Sequence, residues 1–302
     1  MTETFHDPVL RAEVLHAAEG GGARRAIDAT LGDGGHTAAF IGAGIEVIGI
    51  DQDPEAIRRA AERLGNGVEL IHGAFDEVEV LRRVAAFDPD FALLDLGLSS
   101  RQLDDPRLGF SFRPGVHLDM RMNPTGPDAA QYLETATVEE LSETFRTFGD
   151  EPRGRRLAKE VIRRRERGSM RTSDDLVNAI RAVLGPSSGP SDFARLFQAL
   201  RIRVNDELGR LARALPAYRD RLSPGGVLAV ISYHSGEDRI VKHAFREWAR
   251  TCVCPPAYPI CVCRGRALGE VVTRKPIIPG DAEIASNPRA RSARMRLFRV
   301  VP

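Results

Sequence analysis

Short apolar strands alternate with helical patterns through residues 23–95 of this 302-residue chain, and the strands end on Asp or on a glycine turn. Ala26–Leu31 reads as a strand that runs into Gly32-Asp33-Gly34-Gly35, with a helix over His36–Ile41. Glu46–Ile50 is a second strand closing on Asp51, and Asp53-Pro54 caps a helix to Leu64. Val68–His72 is a third strand, a helix covers about 76–86, and Phe91–Asp95 is nearly all apolar, as a central parallel strand must be. Strands separated by helices of this length predict an α/β class, doubly wound parallel sheet. Ahead of them, residues 8–18 predict a short amphipathic helix with Pro8 in its first turn.

The alternation stops after Ser99. Residues 101–128 read as loop, and from Ala129 to about Leu222 every periodic segment is helical. These segments include Val138–Phe148, an Arg-rich helix near 152–167, Asp174–Leu184 and one long helix from about Phe193 to Leu215, with Ser173 and Ser191 as N-caps. Val227–Ser232 is again a buried strand, Lys242–Arg250 is helical, and Val271–Thr273 and Met295–Val301 read as the last strands. A helical block therefore interrupts a sheet that later resumes.

The glycine turn and the acid that follows predict a cofactor site. Glycines at a strand–helix junction let a ligand approach the backbone and meet helix N-terminal N–H groups. Asp51 ends the next strand, where a carboxylate can accept both hydroxyls of an adenosine ribose. A tight turn plus a capping Asp is the plainer alternative. Gly32-x-Gly34-Gly35 departs from G-x-G-x-x-G, which favours S-adenosylmethionine over a nicotinamide dinucleotide. Asp95 ends an apolar strand beside the point where such sheets bind ligands, and an acid there needs a partner.

Charge divides the chain. Residues 1–145 carry 12 basic and 26 acidic side chains; residues 146–302 carry 31 and 16, and 40 of the 43 basic residues are Arg. Such asymmetry predicts a polyanionic partner for the second half, docking on the helical insert and the C-terminal tail. Arg153, Arg155, Arg156, Arg163, Arg164, Arg165 and Arg167 are candidates, as are Arg289, Arg291, Arg294, Arg296 and Arg299; a solvated face is the alternative. Cys252-Val253-Cys254 and Cys261-Val262-Cys263 place four thiols in 12 residues. They could close a tetrahedral zinc site, but C-x-C is less usual than C-x2-C, and no metal is assigned. No signal peptide or membrane span is read, so a cytoplasmic protein is expected.

Ordered motifs add a specific resemblance. They begin with His6-Asp7-Pro8-Val9-Leu10, Asp28-Ala29-Thr30-Leu31-Gly32-Asp33-Gly34-Gly35-His36-Thr37 and Leu94-Asp95-Leu96-Gly97-Leu98-Ser99-Ser100-Arg101-Gln102. Gly109-Phe110-Ser111-Phe112, Leu118-Asp119-Met120-Arg121-Met122, Phe197–Ile202 with Asn205, Ile231-Ser232-Tyr233-His234-Ser235 and Asn287-Pro288-Arg289-Ala290-Arg291-Ser292 follow. Together they closely resemble the MraW (RsmH) family of small-subunit ribosomal RNA methyltransferases over essentially the whole chain.

The resemblance implies a Rossmann-like, S-adenosylmethionine-dependent methyltransferase sheet over residues 1–105 and 216–302. It implies an inserted all-helical substrate-recognition domain over 106–215. It also implies methylation of the exocyclic N4 of a cytidine in 16S rRNA near the decoding centre, with neither DNA nor membrane as partner. Cofactor contacts carry over onto Gly34, Gly35, His36, Asp51, Phe75, Asp95 and Gln102. Asp95, Asp119 and His234 are the catalytic candidates. A salt bridge to Arg121 is the alternative for Asp119, and a hydrogen bonder at a strand end is the alternative for His234. Tyr233 stands where Phe is common in the family, Gly236 where Leu is, and Ser191-Asp192 replaces an expected His-Pro. Competing readings are a methyltransferase of DNA or another RNA, a non-catalytic ribosome-assembly factor, and, more remotely, a nicotinamide dehydrogenase.

Overall fold

The computed structural model of the chain describes residues 7–168, 170–255, 260 and 262–301. They form two compact units, Met1–Gly97 with Leu208–Pro302, and Leu98–Glu207.

The first unit is built on a seven-stranded sheet of order β3-β2-β1-β4-β5-β7-β6. The strands are β1 Arg25–Asp28, β2 Glu46–Asp51, β3 Glu69–His72, β4 Phe91–Asp95, β5 Val227–Ser232, β6 Gly269–Val271 and β7 Arg294–Val300. β1 to β5 are parallel, and β7 runs antiparallel to both β5 and β6. Ile27, Ile48, Phe91, Leu93 and Leu94 are fully buried, as two-sided helix cover requires. The strand order reverses at β1–β4, so the carboxyl ends of β1, β2, β4 and β5 form the edge where such sheets bind ligands.

Several boundaries differ from the sequence reading. The first helix is Arg11–Gly20, not 8–18; Leu10 precedes it in the left-handed region at φ 54°, and Pro8 lies outside. Pro8 instead packs at Gly35, where an added Cβ would sit 3.1 Å from its ring. The helix expected over Phe193–Leu215 is two helices, Pro190–Asn205 and Glu207–Arg219, because Asp206 turns left-handed at φ 48°. The second of them belongs with the sheet: Leu211, Leu215 and Tyr218 are buried in the core that contains Leu94 and Leu228. At the other junction Leu98 and Leu103 pack on the helical core. The units therefore divide at 97/98 and 207/208, against the expected 105/106 and 215/216.

The second unit is all helical, with Ala129–Thr135, Val138–Glu143, Gly154–Arg165, Ser173–Leu184 and Pro190–Asn205. Val138–Glu143 gives way to a π-helical turn over Thr144–Phe148. Thr172, not Ser173, caps Ser173–Leu184. Gly189, not Ser191, caps Pro190–Asn205. Leu118, Leu133, Phe145, Leu157 and Leu196 form a dry centre; each such side chain contributes about 2 kcal/mol relative to exposure. Gly109 is obligatory here, since φ is +69° and a Cβ would meet the His117 carbonyl oxygen at 2.3 Å.

Candidate active site

The turn after β1 is closed by Gly34 N–H donating to the Leu31 carbonyl at 2.8 Å. Gly34 is left-handed at φ +74°, and a Cβ there would press to 3.0 Å from Leu64. Only glycine meets both conditions. Helix Gly35–Gly42 follows with no side-chain cap, so its first amides remain available to an oxygen-bearing ligand. Arg59 ties the turn to the neighbouring helix by donating to Asp33 Oδ1 at 2.8 Å.

Acids gather at the same edge. Asp28 is fully buried and accepts from Thr37 Oγ1 at 2.7 Å. Burial pushes its carboxyl above the usual range, against the opposing pull of His36 and Thr37. The Asp95 amide donates to Thr30 Oγ1 at 2.6 Å, and the Tyr233 hydroxyl donates to Asp95 Oδ1 at 2.9 Å. Burial and the Asp95 charge hold the Tyr233 hydroxyl well above its ordinary pKa, so it remains a donor. Asp95 Oδ2 lies 3.6 Å from His36 Nε2. His36 is 5% exposed, yet neither ring nitrogen has a hydrogen-bond partner among the described residues. A buried imidazole in this state needs a partner.

Asp51 accepts from the amides of Gly32 at 2.8 Å and Asp53 at 2.9 Å. Burial pushes it up to about 6 despite those two donors. Phe75 is half-buried against the sheet core just after β3. Gly34, Gly35, His36, Asp51, Phe75 and Asp95 thus all belong to the carboxyl-edge region of the first unit.

The other candidates have different surroundings. His234 begins helix Ser235–Trp248 as its N-cap: Nδ1 accepts from the Gly236 amide at 3.2 Å, which puts the ring proton on Nε2. Nε2 is buried 3.3 Å from Glu237 Oε1 without making a hydrogen bond. Gln102 and Asp119 lie in the helical unit. Gln102 closes a capping box with Ser99, donating its amide to Ser99 Oγ at 3.2 Å and accepting from the Ser99 amide at 3.0 Å. Asp119 is gripped by the Arg121 fork at 2.8 Å on both oxygens. Burial alone would raise the Asp119 carboxyl, but Arg121 outweighs it and holds it below the ordinary value.

The structure adds Asp28, Thr30 and Thr37 to this edge and gives Tyr233 a hydrogen bond to Asp95. Asp28 ends β1 as Asp95 ends β4, but the sequence pattern runs that strand on to Leu31 and so hides it.

The arginines also redistribute. Residues 98–207 hold 18 basic and 17 acidic side chains, so the helical unit is nearly balanced and the excess lies in 208–302, with 17 and 7. Arg163 and Arg164 are bound by Glu160, at 2.6 and 2.7 Å. Arg165 donates to the carbonyls of Leu133 and Ala136. Arg296 forks onto Asp238 in a buried pair, and Arg299 meets Glu270. Arg289, Arg291 and Arg294 are exposed. Among the cysteines, Cys252, Cys254 and Cys263 cluster, whereas Cys261 lies outside the described residues. Among the described residues no helix is long and apolar enough to cross a membrane.

A doubly wound sheet with an uncapped glycine turn, a ribose-height acid and an unpartnered buried imidazole at its switch point is a Rossmann-like cofactor-binding domain, here interrupted by an all-helical unit. A family model described as the MraW methylase family matches residues 3–301. The chain is 53% identical to the ribosomal RNA small subunit methyltransferase H of Gemmatimonas aurantiaca, over 99% of this chain and 96% of that protein. It is 46% identical to the protein of the same name from Rubrobacter xylanophilus, over 98% and 96%. The chain belongs to the MraW methylase family, and S-adenosylmethionine is its methyl donor. The residues fit that group: an adenosine ribose meets a carboxylate in Asp51, and the free amides after Gly34 and the His36 ring offer polar partners.

Proposed function

We propose that the chain methylates the exocyclic N4 of a cytidine in 16S rRNA, near the decoding centre of the small subunit, in the cytoplasm. Full-length kinship to proteins named small subunit methyltransferase H supports the substrate; the position on cytosine rests on the family resemblance. The observation that carries the chemistry is the half-buried Asp95 group. Tyr233 holds one of its oxygens, and the other faces His36 with no hydrogen bond between them.

Bound S-adenosylmethionine supplies a methyl made electrophilic by its sulfonium. Asp51 receives the ribose hydroxyls, Phe75 walls the adenine, and Gly34, Gly35 and His36 with Asp95 hold the methionine end. N4 is a conjugated, weakly nucleophilic amine, so the protein's work is positioning. Asp95 would accept a hydrogen bond from N4–H, draw electron density onto nitrogen as the methyl passes from sulfur to N4, and hand the proton that N4 loses on to solvent. His234 lines the cytosine, and a base must leave its stack to be reached. Exposed Arg289, Arg291 and Arg294 bind phosphate.

Incubation with labelled S-adenosylmethionine and naked 16S rRNA, 30S subunits or duplex DNA, followed by nucleoside analysis, tests this. N4-methylcytidine from the RNA arms alone is expected. Label on DNA, or on any other nucleoside, overturns it.

A further inference from the structure

The segment between helix Ser235–Trp248 and β6 has no core of its own. Among its described residues, 251–268, none is buried, and Ile260 and Val262 are 74% and 71% exposed. Yet its ends are fixed. Arg264 donates to the carbonyls of Glu247 and Arg250 at the end of the helix, at 2.7 and 3.2 Å, and the Leu268 amide donates to the Trp248 carbonyl at 2.8 Å. A chain segment without buried apolar surface needs another staple to hold one conformation.

The thiols stand where that staple belongs. The sulfurs of Cys252, Cys254 and Cys263 all lie within 4.8 Å of one another, and Cys252 and Cys263 are 3.9 Å apart. Two thiolates at zinc–sulfur distances of about 2.3 Å in a tetrahedron are separated by about 3.8 Å. The backbone is arranged for thiolates as well. Val253 N–H donates to Cys263 Sγ at 3.4 Å, and Val262 N–H donates to Cys254 Sγ at 3.3 Å. Each C-x-C arm thus gives an amide to a sulfur of the other, and donors to sulfur favour its ionised form.

We propose that Cys252, Cys254 and Cys263 bind a zinc ion in a structural site that staples this connection. Soft thiolates select zinc over magnesium or calcium. Each thiol releases its proton as its sulfur–zinc bond forms, and no oxidant or reductant is involved. The three sulfurs leave one tetrahedral vertex for a further donor. The site has no part in methyl transfer.

Full-length protein, produced with zinc in the medium, reduced and desalted, is analysed for metal by mass spectrometry. About one zinc per chain is expected, with thiols that resist a disulfide reagent until a chelator is added. Cobalt exchanged into the site is expected to show a thiolate-to-cobalt charge-transfer band. Cys252→Ser with Cys263→Ser lowers bound zinc at least ~10-fold. Should that variant not fold, the thiol titration of the unmodified chain decides. Zinc below ~0.1 per chain with thiols reacting before any chelator, an intact mass showing a disulfide, or full zinc in the folded double variant each overturns the site.

Discussion

The carboxyl edge of the sheet and the interior of the helical unit treat buried acids in opposite ways. At the sheet edge, burial raises Asp28 and pushes Asp51 up to about 6, and neither nitrogen of the buried His36 has a hydrogen-bond partner among the described residues. In the helical unit Asp119, Glu151 and Glu160 are answered by arginine. Burial would raise Asp119 and Glu151, but Arg121 and Arg195 pull both below the ordinary carboxylate range. Hydrogen bonds from Arg163 and then Arg164 take Glu160 down to about 2. Polar groups satisfied by their own chain hold a fold together. Polar groups buried at a cost mark candidates for a partner from outside.

That contrast can be broken, most sharply at Asp95. Asp95→Ala is expected to lower turnover by about 100-fold or more while the unfolding midpoint stays within a few degrees. A loss of stability without loss of turnover would put Asp95 among the structural acids. Glu151→Ala is the mirror test. Its side chain is 3% exposed and it takes a 2.7 Å bond from Arg195. Removing it costs about 3 kcal/mol in denaturant unfolding of the helical unit, with cofactor affinity unchanged by calorimetry.

Asp51 gives a pH signature of the opposite sign to a salt-bridged acid. The folded chain holds its proton more tightly than the unfolded chain does, from about 3.8 unfolded to about 6 folded. Stability of the cofactor-free protein therefore falls as pH rises through that window, by up to about 3 kcal/mol, and the cost is complete above it. Asp51→Asn is expected to flatten this segment of the stability–pH curve and to weaken S-adenosylmethionine binding about 10-fold at neutral pH. An unchanged curve would show that burial does not raise Asp51 in the folded chain. The smallest effect is expected of Tyr233→Phe, which removes one hydrogen bond to Asp95: about 1 kcal/mol, or roughly 5-fold in turnover, with cofactor affinity within about 2-fold.

What could be read from sequence was what is local. Asp51 and Asp95 announce themselves because an acid closing an apolar strand is visible in a handful of consecutive residues, and Gly34 because its turn is. The Tyr233–Asp95 bond joins residues 138 apart and the Thr30–Asp95 bond joins residues 65 apart, so no local pattern contains them. His234 in Ser-Tyr-His-Ser suggests chemistry, but whether its ring caps a helix depends on where that helix begins. In the arginine-rich stretch near 152–167, Glu160 takes Arg163 and Arg164 and the carbonyls of Leu133 and Ala136 take Arg165, while Arg155, Arg156 and Arg167 stay exposed, a division that no local pattern contains.

The sequence by itself determined the alternation of strands and helices, the interruption by a helical block, the strand-end acids and the kinship to a methylase family. Periodicity, capping and glycine freedom act over a few residues, and ordered motifs survive whatever the chain does between them. Tertiary structure alone decided that a continuous helical pattern breaks at Asp206, and that Glu207–Arg219 packs with the sheet. It also decided which buried groups were left unanswered. Burial and pairing are properties of residues brought together from distant parts of the chain, and a polar group's cost is fixed only when its neighbours are in place.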